Sequence, residues 1–229
     1  MALERTDFEV REHGFHFWNY FDFSLEFELP LVGAIDLGEI VYGLCGGMCF
    51  AALDYFHAKV LPALDTVIDD GSALYDYLLL RQLRSLAAPV VPLKILEWMI
   101  RDDLDVARRT ASREFPKIRR RIAKGNPAVL LLIRAGGFSD PTQNHQVVAT
   151  GYDLDEATQD VKIFLYDPNH PDEEPTLDMN LADPKHGIDL KQSTGEHLRG
   201  FFVLDYRPRK RGLPLPDVDP VPSPGGTPT

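Results

Sequence analysis

Residues 146–152 and 161–166 are two β-rich runs separated by a polar stretch, 153–160, that holds Asp153, Asp155, Glu156 and Asp160. β-Branched and aromatic residues suit half-buried strands, whereas short acidic side chains suit a turn. The spacing therefore predicts an antiparallel pair, and this constrains the chain more than any other pattern. Pairing across the turn lays the start of the first run beside the end of the second. His145 and Asp167 then come within reach of one another.

The remainder of the second half is also β-like. Residues 128–133 form a short apolar run, and residues 201–204 read as a closing strand. The first half has a different period. Cys49, Ala52, Phe56 and Val60 recur at helical spacing in a run that should stop near Pro62. Ser72 is placed to cap a helix through Leu74, Leu78 and Leu79, and Pro92 suits the first turn of another carrying Ile95, Trp98 and Met99. A further helix is expected over 105–123, with Gly125-Asn126-Pro127 as its stop. Ahead of these, Phe15, Phe17, Phe21, Phe23, Leu25, Phe27 and Leu29 keep a spacing of two, interrupted at Asn19. That predicts a strand or strand pair closed by Pro30.

A mainly helical first half followed by an antiparallel second half predicts an α+β domain over residues 1–206. A helical lobe with an N-terminal strand would cover about 1–127 and a β lobe 128–206, with a cleft where they meet. Residues 207–229 are rich in Pro, Gly and Ser and are expected to be a disordered tail.

With 44% hydrophobic and 26% charged residues, 229 residues suffice for one sizeable core. A formal charge of −11 argues against a nucleic-acid partner, and the short run Arg119-Arg120-Arg121 reads as a solvated helix face. Two cysteines make no disulfide framework, which points to a reducing compartment. The opening residues show no basic-then-apolar leader, and no apolar run approaches the roughly 20 residues needed to span a bilayer. The expectation is a cytoplasmic protein with no membrane partner.

Function turns on residues 43–50, Gly-Leu-Cys-Gly-Gly-Met-Cys-Phe. A thiol at a helix start meets unsatisfied backbone N–H groups and the positive end of the helix dipole, both of which favour the thiolate. Attack on an acyl carbon needs that thiolate, a base that later serves as acid, a group to orient the base and donors for the oxyanion. Cys45 is the candidate nucleophile, His145 the base and Asp167 the orienting group. Gly46 and Gly47 would let the backbone turn tightly and a substrate approach it. Cys49 is the alternative nucleophile, although it shares the apolar stripe, where a small buried thiol is commonplace. Asn169, in Asp-Pro-Asn, is an alternative orienting residue.

The blocks Gly-Leu-Cys-Gly-Gly-Met-Cys-Phe-Ala-Ala, Asn-His-Gln-Val-Val-Ala-Thr-Gly-Tyr-Asp and Ile-Phe-Leu-Tyr-Asp-Pro-Asn resemble the Cys, His and Asp blocks of papain-like cysteine peptidases, especially the bacterial C39-like branch. The likeness spans about residues 42–168. It implies a papain-like fold, with the site between a helical and a β lobe, and Cys-His-Asp chemistry on a peptide or small amide or acyl bond, without a cofactor. Papain-like enzymes usually place a glutamine some six residues before the nucleophile to complete the oxyanion hole. Glu39 stands there, so Asn19 or the Tyr42 hydroxyl would have to supply the donor.

Three readings follow. One is a cysteine peptidase or related thiol hydrolase. The second is a non-catalytic binding module of the same fold, motivated by Glu39, and the third a transglutaminase-like acyltransferase using the same residue order. No metal is expected, because Cys45, Cys49, His57 and His145 match no closed zinc spacing. His57 reads as a boundary side chain, and His170, His186 and His197 as surface residues.

Overall fold

The structure, a computed structural model, describes residues 2–21, 23–25, 40–64, 67–87, 89–137 and 139–215, with residues 23–25 and 40–42 described by backbone alone. Along the chain run β1 (Ala2–Arg5), α1 (Val10–His13), the short strands β2 (Phe23–Leu25) and β3 (Ile40–Tyr42), then α2 (Cys45–Ala58), α3 (Ala73–Leu86), α4 (Val90–Met99), α5 (Asp103–Arg109) and α6 (Phe115–Ile122). The second half holds β4 (Ala128–Ile133), β5 (His145–Leu154), β6 (Asp160–Tyr166), β7 (Thr176–Asn180), β8 (Lys191–Gln192) and β9 (Gly200–Val203). This is an α+β molecule with an antiparallel sheet in the order β8-β7-β6-β5-β4-β9. β1 extends the sheet by pairing with the later half of β5, beyond the reach of β4.

The strand β4 is apolar throughout because both of its faces are covered. Val129, Leu131 and Ile133 belong to one core with Met48, Ala52, Leu78 and Trp98 of the helices. Ala128, Leu130 and Leu132 belong to a second core with Phe115, Ile118 and Ile122 of α6. Each of the larger aliphatic or phenyl side chains among these, fully buried, stabilises the fold by about 1.5–3 kcal/mol.

The hairpin expected from the two β-rich runs is β5–β6. Its turn closes on Asp155, whose N–H donates to the Asp160 carbonyl at 2.9 Å and whose Oδ1 accepts from Ala157 N at 2.8 Å. The ladder runs from Leu154↔Val161 to Val148↔Tyr166, with a bulge between Ala149 and Gly151. Ser72 caps α3, its hydroxyl accepting from Tyr75 N at 3.2 Å. α2 ends at Ala58, where Lys59 takes a left-handed φ of 59° ahead of Pro62.

Four expectations change. Residues 15–21 form no strand: Phe15 and Phe17 anchor an irregular segment in the core, their tilted rings 5.1 Å apart, while Phe15 N donates to the Tyr166 hydroxyl oxygen at 3.3 Å. Of the 15–29 run only Phe23–Leu25 is a strand among the described residues, and residues 26–30 lie outside them. The helix expected over 105–123 is interrupted by a π-helical turn, Thr110–Glu114. That turn serves the sheet edge, because Thr110 Oγ1 accepts from Phe201 N at 3.2 Å and Glu114 Oε2 from Val203 N at 2.9 Å.

The third change concerns residues 207–215 of the expected tail, which are held by specific bonds. Arg81 Nη2 donates to the Arg207 carbonyl at 3.1 Å, Arg209 N donates to Asp54 Oδ1 at 2.7 Å, and the Tyr55 hydroxyl bonds the Pro214 carbonyl. Local composition cannot show that a buried carboxylate elsewhere needs this segment as a donor. Residues 216–229 lie outside the described residues. Fourth, β1, β7 and β8 carried no sequence signal. Among the described residues no helix is long and apolar enough to cross a membrane.

Candidate active site

Cys45 is the first residue of α2, so its sulfur lies where the helix presents unsatisfied N–H groups. One of these is already committed: Gly47 N donates to Gln82 Oε1 at 2.7 Å. The glycines that follow the cysteine have a packing role. A Cβ at Gly46 would collide with Ser85 Oγ and the Gln146 amide, and one at Gly47 with the Leu78 carbonyl. The two bare positions thus admit α3 and Gln146 rather than opening the main chain to a ligand.

His145 opens β5 and Asp167 follows β6 directly, both beyond the same end of the ladder, past its last pair Val148↔Tyr166. Pro168 cannot donate to a ladder, so the chain turns, with His170 N donating to the Asp167 carbonyl at 2.9 Å. The His145 Nε2 and Asp167 Oδ1 atoms lie 2.6 Å apart. Both residues are buried, at 4% and 0% exposure. With Nε2 committed to the carboxylate, Nδ1 is the ring nitrogen left to face the Cys45 sulfur, whose proton affinity His145 lowers.

The electrostatics follow from this contact. Burial pushes the Cys45 thiol up, but the His145 hydrogen bond and charge, with backbone N–H groups of Gln146 and Gly46, leave it below the ordinary thiol value. Burial alone would push the His145 imidazolium down. Asp167 and the Cys45 sulfur outweigh that and raise it to about 10. Burial raises Asp167 in turn, and His145 together with the Asn169 N–H brings it down to about 2. All three shifts run in the direction that favours an imidazolium between two anionic partners.

Cys49 behaves differently. It is fully buried, its Sγ donates to the Gln146 carbonyl at 3.4 Å, and burial together with Cys45 and Asp167 pushes its thiol well up. Both cysteines are free thiols.

The other expected residues fall around this centre. Asn169 N donates to Asp167 Oδ1 at 2.9 Å, whereas its side-chain oxygen accepts from Asn19 Nδ2 at 3.1 Å. The side chain in contact with His145 is therefore that of Asp167. The Asn19 amide also lies against Gly43 Cα, two residues before Cys45, and its Oδ1 is buried without a partner among the described residues. Of Tyr42 only the backbone, on β3, is described, and Glu39 lies outside the described residues.

Sequence reasoning missed Gln192. Its Nε2 donates to Asp167 Oδ2 at 2.9 Å, and its own Oε1 accepts from Arg134 Nη2 at 3.4 Å. It is 4% exposed and sits on the two-residue strand β8, too short for any alternation to announce. His57 is half-buried, stacked on Tyr206 at 5.9 Å, while His186 is exposed, its Nδ1 2.7 Å from Asp183 Oδ2. Trp18 and Tyr20 flank Asn19 as an exposed stacked pair, rings 5.7 Å apart, with Trp18 6.3 Å from His170. Among the described residues no three His, Cys, Asp or Glu side chains gather as a metal-binding group.

The chain matches no protein-family model, no curated protein and no solved structure.

Proposed function

We propose that this chain is a thiol-dependent amide or acyl hydrolase of the cysteine-peptidase kind, with a papain-like arrangement of helical and β lobes. The observation that supports it most is the position of one imidazole, His145, between the Cys45 sulfur at a helix start and the fully buried Asp167 carboxylate. A lone buried cysteine packs. A cysteine paired with a carboxylate-backed histidine is held as thiolate and imidazolium.

In this reading the Cys45 thiolate attacks the acyl carbon and forms a C–S bond while the carbonyl π pair moves to oxygen. Collapse of the tetrahedral species breaks the bond to the leaving nitrogen, which takes the Nδ1 proton of His145. Water then gives its proton to neutral His145 and attacks the thioester, releasing the carboxylic acid and the thiolate. Asp167 holds the ring and stabilises the imidazolium in both halves. The Cys45 backbone N–H at the helix start serves as one oxyanion donor, and the Asn19 amide, beside Gly43, is the candidate for the second.

Cys45 as a residue is only 9% exposed. That favours, as second reading, a binding module that retains the ion pair without turnover. An acyltransferase would use the same first half-reaction and deliver the acyl group to an amine. Exposure to p-nitrophenyl acetate separates the three. A hydrolase releases p-nitrophenolate in a burst and then steadily, with one acetyl group on Cys45 by mass spectrometry and none in Cys45→Ser. An acyltransferase gives an acetylated amine when one is added, and a module without turnover gives no burst.

A further inference from the structure

A cluster of positive charge with few carboxylate partners among the described residues lies far from Cys45 on this acidic chain. Lys117, Arg120, Arg121 and Lys124 follow one another at helical spacing along one side of α6 and just past its end. Lys210, from the C-terminal segment, joins them on the wall of a cleft of about 850 Å³. One carboxylate, Asp205, shares that wall with these five cations. Of the five, only Lys117 is ion-paired among the described residues, to Glu114 at 2.7 Å. On a chain with 35 acidic and 24 basic residues, such a local excess runs against composition.

Cations in the last turn of a helix also answer its dipole, which accounts for part of α6. It does not account for Lys210, which belongs to another segment, nor for the shape. The cleft adds an apolar wall of Pro127, Val203, Leu204 and Pro208. The local field is felt by a neighbour: burial first, and then the charge of Lys210, hold His57 below its ordinary pKa. Pro127 precedes β4, whose other end, Leu132, pairs with His145, so about 17 Å of strand separates the cleft from the thiol centre.

We propose that this cleft is a binding site for a compact phosphate-bearing small molecule. Two guanidinium groups offer planar forks that match phosphate oxygens, and the lysines add point charges around them. The volume falls in the range of small-ligand pockets. A long polyanion would extend past the cleft onto a surface of net charge −11, whereas a compact one stays inside the positive region. An acidic peptide spreads its charges along a chain, and five cations in one cleft suit a ligand that concentrates them.

The site stands independently of the thiol chemistry. The test is titration calorimetry of the full chain with inorganic pyrophosphate at low and at physiological ionic strength. Saturable binding is expected, weakened about tenfold or more in Arg120→Gln/Arg121→Gln and, separately, in Lys210→Gln, with Arg84→Gln unaffected. Because these side chains are polar and surface-facing, each variant should unfold in urea with the parent's midpoint. Absence of pyrophosphate binding at low ionic strength, equal loss in Arg84→Gln, or tighter binding of a hexaglutamate peptide than of pyrophosphate would each overturn the assignment.

Discussion

His145 Nε2 and Asp167 Oδ1 lie 2.6 Å apart because one hairpin places them just outside its last ladder pair, Val148↔Tyr166. The contact is buried, so the charge on each partner depends on the other. Burial opposes the Asp167 carboxylate, but His145 brings its folded-state pKa to about 2, below an unfolded value of about 3.9. A depressed carboxylate contributes stability that is complete above the unfolded value and lost as pH falls through the folded one. The same contact raises His145 to about 10, a contribution complete below its unfolded value of about 6.5 and lost as pH rises through the folded one. In urea unfolding, the advantage of the parent chain over Asp167→Asn should therefore be full between about pH 4 and 6.5, shrink toward pH 2 and shrink again toward pH 10. A constant difference across that window would contradict the ion pair.

Gln192 donates to the Asp167 oxygen that His145 does not use. Gln192→Leu should cost about 1–3 kcal/mol, the range for leaving a buried polar group unsatisfied. It should also raise the pH midpoint of Cys45 alkylation, by less than Asp167→Asn does. Gln192→Glu should raise it too, since a second carboxylate would draw the proton onto the acid pair. Lost stability with an unmoved midpoint would leave Gln192 as packing only.

Gly47 lies where α2 crosses α3, with the Leu78 carbonyl against its Cα. Gly47→Ala should destabilise by about 1–3 kcal/mol, the usual cost of overpacking, although alanine is the better helix former. Chemical denaturation measures this directly, and a gain in stability would show that α3 can move aside.

Asp54 is the anchor of a separate buried network. It accepts from Arg81 Nη2 at 3.1 Å, from the Tyr77 and Tyr206 hydroxyls at 2.9 Å each and from Arg209 N at 2.7 Å, and is ion-paired to the Arg81 guanidinium. Removing one partner of a buried ion pair leaves the other uncompensated, so Asp54→Ala should lose about 3–5 kcal/mol. Asp54→Leu paired with Arg81→Leu should lose less than Asp54→Ala alone. Alkylation of Cys45 in the folded variants should be unchanged.

The hairpin and the His145–Asp167 contact at its end were legible because alternation, turn chemistry and register are local. The α3 cap was legible for the same reason: Ser72 needs only its own N–H groups. Gln192 was not, since nothing near Lys191–Gln192 in the sequence shows that a carboxylate 25 residues earlier needs a donor. The glycines after Cys45 were visible but misassigned. Their neighbours, Leu78 and Gln146, come from a helix and a strand that only the tertiary fold brings together. The phenylalanines of residues 15–21 kept a strand-like spacing while anchoring a loop, because aromatic burial does not require a ladder.

The proposed function requires that His145 hold Cys45 as a thiolate. The most direct measurement is the pH dependence of iodoacetamide alkylation, followed site by site by mass spectrometry. A free cysteine reacts with a midpoint near about 8.5. Cys45 should react well below that pH and selectively over Cys49, with His145→Ala abolishing the low-pH reaction and Asp167→Asn moving the midpoint upward. Equal, slow labelling of Cys45 and Cys49 that rises only near the free-thiol midpoint, unchanged in His145→Ala, would contradict it.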